Sequence, residues 1–245
     1  MLKFLVLGAS STIASETLRR FAHDGAEMYL VDLREDRLSA LKADLEVRGA
    51  KRVIIHAQDL SDLSLHQSLV DTAIQALGGL DAVFMAYGVL GDQQSAQASV
   101  EDSLRLIHIN FISYVSLLTI IANYMEGQRR GMIAVISSVA GDRGRGSNYV
   151  YGSAMAGKTA FLSGLRNRLA KKGVQVLTIK PGMVDTPMTA HMPKTALFAD
   201  PTEVGAGIYA AMKGGKDVVY LPFYWRYIMW VIRGLPEFIF KRLSL

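Results

Sequence analysis

Seven short apolar runs, each followed by a stretch of helical periodicity, constrain this chain more than any other feature. The runs cover 3–7, 27–31, 52–57, 81–86, 132–137, 174–180 and 217–220. A continuous apolar run of this length is a strand buried on both faces, as parallel sheets require. Helical stretches at 12–23, 34–48, 63–77, 100–125, 148–171 and 201–212 fill the intervals and supply the covering layers. Parallel strands joined by right-handed crossovers leave little besides an α/β, Rossmann-type doubly wound seven-stranded sheet. At 245 residues one domain is expected, spanning 1–220, with 221–245 as an apolar and basic C-terminal tail.

Composition removes several classes of chemistry. There are no cysteines, which excludes disulfides, thiolate nucleophiles and Cys-based zinc sites, and fits a reducing, cytoplasmic setting. The histidines His23, His56, His66, His108 and His191 show no metal-ligand spacing, so no metal is expected. Lys and Arg exceed Asp and Glu by 27 to 22, but no basic cluster interleaved with aromatics appears, which argues against nucleic acid as a partner. The apolar start is too short for a secretion signal and runs into a glycine turn, so it reads as a strand. No uninterrupted apolar stretch approaches the roughly 20 residues of a membrane-spanning helix.

The first strand leads into Gly8-Ala9-Ser10-Ser11-Thr12-Ile13 and then a helix. Glycine permits a tight turn, after which a helix N-terminus faces a pyrophosphate with free N–H groups and its positive dipole end. Ser10, Ser11 and Thr12 add hydroxyl donors beside Gly8 and Ile13. Asp32 ends the second strand, where a carboxylate accepts hydrogen bonds from an adenosine ribose and repels a 2′-phosphate. That favours NAD as the cofactor; Arg34 leaves NADP open. Asp59 and Leu60 after the third strand, and Ala86, Tyr87 and Gly88 after the fourth, stand at the strand ends where such sheets bind ligands.

Ser138 follows the fifth strand, and Tyr151 lies thirteen residues later near a helix start. Asn110 sits inside the preceding long helix, and Pro181-Gly182-Met183-Val184-Asp185-Thr186 follows the sixth strand. In this order and spacing the pieces resemble the short-chain dehydrogenase/reductase family over nearly the whole chain. The resemblance implies that Ser138 polarises a substrate carbonyl and Tyr151 exchanges the proton. It also implies that Asn110 holds a water relay, and that Pro181, Gly182, Val184 and Thr186 grip the nicotinamide. The chemistry is coherent: hydride delivered to a carbonyl carbon leaves an alkoxide that needs hydrogen-bond donors and an acid.

The chain departs from the family pattern. Thr12 and Ala14 stand where glycines are usual, and Met85-Ala86-Tyr87 where the family has two asparagines after the fourth strand. The family's Tyr-x-x-x-Lys motif reads Tyr151-Gly152-Ser153-Ala154-Met155. That lysine shares a helical face with the tyrosine and lowers its pKa, whereas Met155 carries neither charge nor donor. Lys158, seven residues beyond Tyr151, can lean back toward the ribose, although a solvated or interface lysine is the expected reading. Two functions therefore stand: an NAD(P)-dependent oxidoreductase, and a dinucleotide-binding protein with little or no turnover.

Within the family, 86–92, 137–145, 147–152, 188–192 and the tail resemble the decaprenylphosphoryl-keto-pentose reductases. That implies a keto-sugar or lipid-linked carbonyl substrate. Aromatic and basic residues interleave in the tail, from Phe223, Trp225 and Trp230 to Phe240, among Arg226, Arg233, Lys241 and Arg242. Such helices lie in a membrane interface, and Pro236 divides this one in two. A lid over the substrate or a subunit contact is equally expected. The family resemblance further implies a homodimer or homotetramer packed through the helices at 100–125 and 148–171. The location expected is the cytoplasm, peripheral at the inner face of the membrane.

Overall fold

The computed structural model describes residues 1–243, so the last two residues of the tail lie outside the described residues. Strands β1 (Lys3–Leu7), β2 (Glu27–Asp32), β3 (Arg52–Ala57), β4 (Ala82–Met85), β5 (Gly131–Ile136), β6 (Val174–Pro181) and β7 (Val218–Leu221) form one parallel sheet. Their order is β3-β2-β1-β4-β5-β6-β7. The chain winds outward one way from β1 to β3 and the other way from β4, so a crevice opens between β1 and β4 at the C-terminal ends of the strands.

Successive side chains of a strand point to opposite faces, and each β1 residue is spent on one of two cores. Phe4 and Val6 join Met28 and Leu30 beneath α1 (Thr12–His23), α2 (Glu35–Val47) and α8 (Pro201–Lys213). Leu5 and Leu7 join Tyr29 and Val31 on the other side, under α3 (His66–Leu77), α6 (Ser113–Gln128) and α7 (Tyr149–Ala170). Burial on both faces is why the strands read as unbroken apolar runs.

The expected 100–125 helix is α5 (Val100–Ile107), a π turn over His108–Ile112, and α6, which together run to Gln128. By length and composition Val100–Gln128 is apolar enough to cross a membrane. Here Leu117, Leu118, Ile121 and Met125 lie buried against the sheet, so its hydrophobicity is spent on the core. A short helix that periodicity missed, α4 (Gln93–Ala98), precedes it and is capped by the Asp92 carboxylate. The tail forms α9 (Trp225–Gly234) and α10 (Glu237–Phe240), separated at Pro236. Trp225 and Met229 are buried against Val139 with Met183 and Tyr220 beside them, so one face of the tail belongs to the folded body.

Candidate active site

A cleft of about 1000 Å³ lies over the crevice at the strand ends. Its first half is built on the turn after β1. Gly8 has φ +82°, and a Cβ there would lie 2.5 Å from the Tyr87 backbone nitrogen, so only glycine lets this turn close against the β4 loop. Ser11 precedes α1 without capping it through its side chain. First-turn N–H groups therefore face the cleft beside Ser10, Thr12 and Ile13, a cradle suited to phosphate oxygens. Asp32 Oδ2 accepts from Ser10 N at 3.0 Å and Oδ1 from Leu33 N at 2.8 Å, which fixes the carboxylate at the cleft wall. These residues fit the adenosine and pyrophosphate of a dinucleotide.

Other expected residues of this half divide. Arg34 is turned away in an ion pair with Asp36 at 2.7 Å, whereas Arg37, unremarked in the sequence, lines the cleft. Ala86, Tyr87 and Gly88 line it too, but the Tyr87 ring does not face a ligand. It stacks on Tyr114 at 4.2 Å between centroids, and its hydroxyl meets Ser113 Oγ at 2.8 Å. Asp59 and Leu60 stand apart from the cleft lining. Asp59 folds back on Ser61, accepting from its N at 2.8 Å and its Oγ at 2.7 Å, and Leu60 is buried in the core.

The second half joins the end of β5 to the start of α7. Ser137 donates to the Met155 carbonyl at 3.2 Å and pairs with Thr159 Oγ1 at 2.8 Å, clamping strand to helix. Ser138 follows in extended backbone, its Oγ accepting from Ala140 N at 3.1 Å. The clamp brings the Ser138 hydroxyl close enough to the Tyr151 phenol to favour its ionised form. Burial pushes the phenol above its ordinary value of 10, and the nearby Ser138 hydroxyl offsets part of that rise. Met155 is buried one turn further along α7 and lines the cleft with an apolar side chain.

Lys158 is neither solvated nor at an interface. It is 1 % exposed, its Nζ donating to the Ile136 carbonyl at 3.3 Å and lying 3.5 Å from the centre of the Tyr114 ring. The long side chain follows its helix inward because α6 offers an aromatic face there and no carboxylate. Desolvation holds its pKa well below the lysine range. Asn110 is fully buried within the π turn. Its Nδ2 donates to Val89 O at 2.8 Å and Leu106 O at 3.0 Å, while Oδ1 accepts from Val89 N at 3.1 Å. The side chain thus ties the β4 loop to the long helix.

Pro181, Gly182, Val184 and Thr186 form the far wall. Trp225 of the tail lies so close to Gly182 that a Cβ there would come within 1.9 Å of the indole nitrogen. A tail residue thereby closes the cleft, a partnership across 43 positions that no local pattern announces. Arg143 pins the same tail: Nη1 donates to the Ile232 and Leu235 carbonyls, each at 2.6 Å, and Nη2 meets Glu237 Oε2 at 2.9 Å. Its guanidinium also stacks 3.6 Å from the Phe240 ring centre.

Residues 3–196 match the sequence model of the family described as short chain dehydrogenase. An uncharacterized oxidoreductase of Mycobacterium tuberculosis is 37 % identical over 239 residues, covering 98 % of this chain and 96 % of that protein. Levodione reductase superposes with a TM-score of 0.81 at 23 % identity, over 89 % of this chain and 95 % of that one. NAD+-bound xylitol dehydrogenase gives a TM-score of 0.77 at 19 % identity, over 89 % and 96 %. At these identities the two structures speak for the fold.

Proposed function

The chain belongs to the short-chain dehydrogenase family, and from that premise we propose that this NAD(P)-dependent oxidoreductase interconverts a carbonyl and an alcohol with Tyr151 as its proton donor and Ser138 as its oxyanion partner. The observation that carries the reading is that Ser138 and Tyr151 come together in the lining of the cleft whose other half is the phosphate cradle at Gly8. NAD(P), when bound, supplies or accepts the hydride.

The chain's own groups do the rest. The Gly8–Ile13 turn would hold the phosphate oxygens, and Asp32 would hold a ribose and favour NAD. Pro181, Gly182, Val184 and Thr186 would back the nicotinamide. During reduction the substrate oxygen gains negative charge, which the Ser138 hydroxyl stabilises by donation. Tyr151 then transfers its phenolic proton to that oxygen, completing the alcohol; in the reverse direction the phenolate takes it back. Asn110 has committed its side chain to Val89 and Leu106, so any water it holds is held by its backbone.

The substrate we assign is a keto-sugar or a lipid-linked carbonyl, as in the decaprenylphosphoryl-keto-pentose reductases whose motifs the chain resembles. Supporting this, the mouth of the cleft carries the apolar Leu90, Met188 and Met192 next to polar Gln93 and Asn148. The exposed side of α9 and α10, with Trp230 at 76 % and Phe238 at 63 % exposure among basic residues, supports contact with the inner membrane surface from the cytoplasm. Val100, Leu104 and Ile112 leave exposed apolar side chains along the long helix, which supports pairing with another copy in a homodimer or homotetramer.

One observation favours a second reading. Met155 puts a thioether where a cation would lower the Tyr151 pKa, so the chain would bind a dinucleotide with little turnover. Tyr151→Phe tests both. If the phenol is the acid, the variant loses about 10²- to 10⁴-fold in kcat against a panel of phosphorylated and lipid-linked keto-sugars, with NADH affinity unchanged. Equal rates in wild type and variant, with NADH bound by each, would leave the binder.

A further inference from the structure

Among the described residues, five buried side-chain polar atoms lack a hydrogen-bond partner. Four of them belong to residues lining the cleft: Gln93 Nε2, Arg145 Nε, Asn148 Oδ1 and Trp225 Nε1. Folded proteins leave few such atoms, and because each is closed off from solvent it is the remainder of the side chain, where that faces the cleft, that a ligand can meet.

Arg145 is the informative member. Burial draws its pKa below the arginine range, and no carboxylate of the described residues offsets that loss. The contrast with Arg143, two positions earlier, is sharp: Arg143 spends its donors on the tail and Glu237, whereas Arg145 turns to the cleft. Both acids of the lining are occupied: Asp92 Oδ2 accepts from Ser95 N at 2.7 Å and Ser95 Oγ at 2.9 Å, and Asp32 accepts from Ser10 N and Leu33 N. Gln93 Oε1 accepts from Val150 N at 3.2 Å, which fixes the amide and leaves its Nε2 donors unused. A half-buried guanidinium that lines the cleft with no carboxylate of the described residues paired to it is a receptor for oxygen anions, since its Nη donors match paired acceptor oxygens.

We propose that the substrate carries an anionic oxygen group, a carboxylate or a phosphate ester, which the Arg145 guanidinium receives in the cleft. This rests on the oxidoreductase reading for its substrate, and it adds a specificity residue outside the proton-transfer pair. Arg145 lies on the loop after β5, so this subsite is separate from the Gly8–Ile13 cradle.

The test is calorimetric titration of NAD-saturated protein with inorganic phosphate and, separately, acetate, in wild type, Arg145→Gln and Arg145→Lys. NAD saturation blocks the cradle, and the NAD affinity of each variant reports that it has folded. The expected result is anion binding by wild type that weakens about tenfold or more in Arg145→Gln and less in Arg145→Lys, with NAD affinity unchanged. Phosphate binding without acetate identifies the phosphate ester, and the converse the carboxylate. Equal anion affinity in wild type and Arg145→Gln, or none in wild type, overturns the proposal. Failure of NAD to bind sinks the oxidoreductase reading instead, because the Arg145 dependence of anion binding is still read directly.

Discussion

Lys158 Nζ sits 3.5 Å from the centre of the Tyr114 ring, three residues beyond Met155 on the same helix. The cleft floor therefore holds a lysine, though not at the position that serves the tyrosine. Its burial has a thermodynamic sign. The unfolded chain binds a proton at Lys158 up to about pH 10.5, whereas the native chain releases it at much lower pH. Between those two values the unfolded state holds more protons, so stability rises with pH.

Lys158→Met removes that penalty. The variant is expected to be more stable than wild type near neutral pH, with the advantage shrinking as pH climbs toward 10.5. Urea midpoints measured across a pH series check it. A variant less stable at every pH would mean that the lysine is held charged by the Tyr114 face.

Met155→Lys supplies the missing charge. The new ammonium lies one turn from Tyr151, favours the phenolate and tightens the hold on a ribose. An increase of about 10- to 100-fold in kcat/KM for reduction is expected, within the range of acid–base assistance. Steady-state kinetics with one active keto-sugar measures it. Unchanged kcat/KM would show that proton transfer does not limit the wild-type rate.

The Tyr151 phenol titrates above 10, because burial outweighs the help of the nearby Ser138 hydroxyl. Reduction needs the protonated phenol, so its rate is expected to stay flat over about pH 6–9. Oxidation needs the phenolate and rises about tenfold per pH unit over that interval. In Met155→Lys the rising limb moves to lower pH. A bell centred near neutrality in the wild type would assign the titration to another group.

Much of this arrangement was legible because it is local. Alternating runs and turns displayed the sheet, and Ser138, Tyr151 and Asn110 were marked by their order along it. What escaped depends on partners distant in sequence. The burial of Lys158 is decided by Tyr114 on another helix, and Trp225 reaches the cleft only because Gly182 admits it. Asp59 stood at the right strand end, but its neighbour Ser61 offered two donors and drew it away. Arg34 and Arg37 are alike in sequence, and only the Asp36 ion pair separates them. The π turn at Asn110 changes hydrogen bonding without altering the apolar period, so no pattern showed it.

Cofactor preference follows from that pair. Asp32 at the cleft wall repels a 2′-phosphate, while Arg37, in the same lining and without an ion pair among the described residues, attracts one. Asp32→Ser is expected to raise the ratio of NADP to NAD affinity by about tenfold or more. Arg37→Ala lowers NADP affinity and leaves NAD affinity nearly unchanged. Fluorescence titration with NADH and NADPH reads both, and equal ratios in all three proteins would remove Asp32 from the selection.

The tail has two faces with different obligations, and they can be separated. Trp225 and Met229 are part of the cleft wall and its backing, so deleting the tail would damage the site along with any membrane contact. Trp230 and Phe238 point outward at 76 % and 63 % exposure, near the exposed Arg226, Arg233, Lys241 and Arg242. Each basic residue near an anionic surface contributes about 1 kcal/mol, enough in concert to supplement the inserted aromatics. The full chain is therefore expected to float with phosphatidylserine vesicles, less so with neutral ones, and less again at high salt. Trp230→Ser with Phe238→Ser should abolish most of that flotation while leaving the melting temperature nearly unchanged, since neither side chain is packed. Undiminished flotation of the double variant, or none by the wild type, would reduce the tail to its inward face: a wall that Arg143 fastens over the substrate.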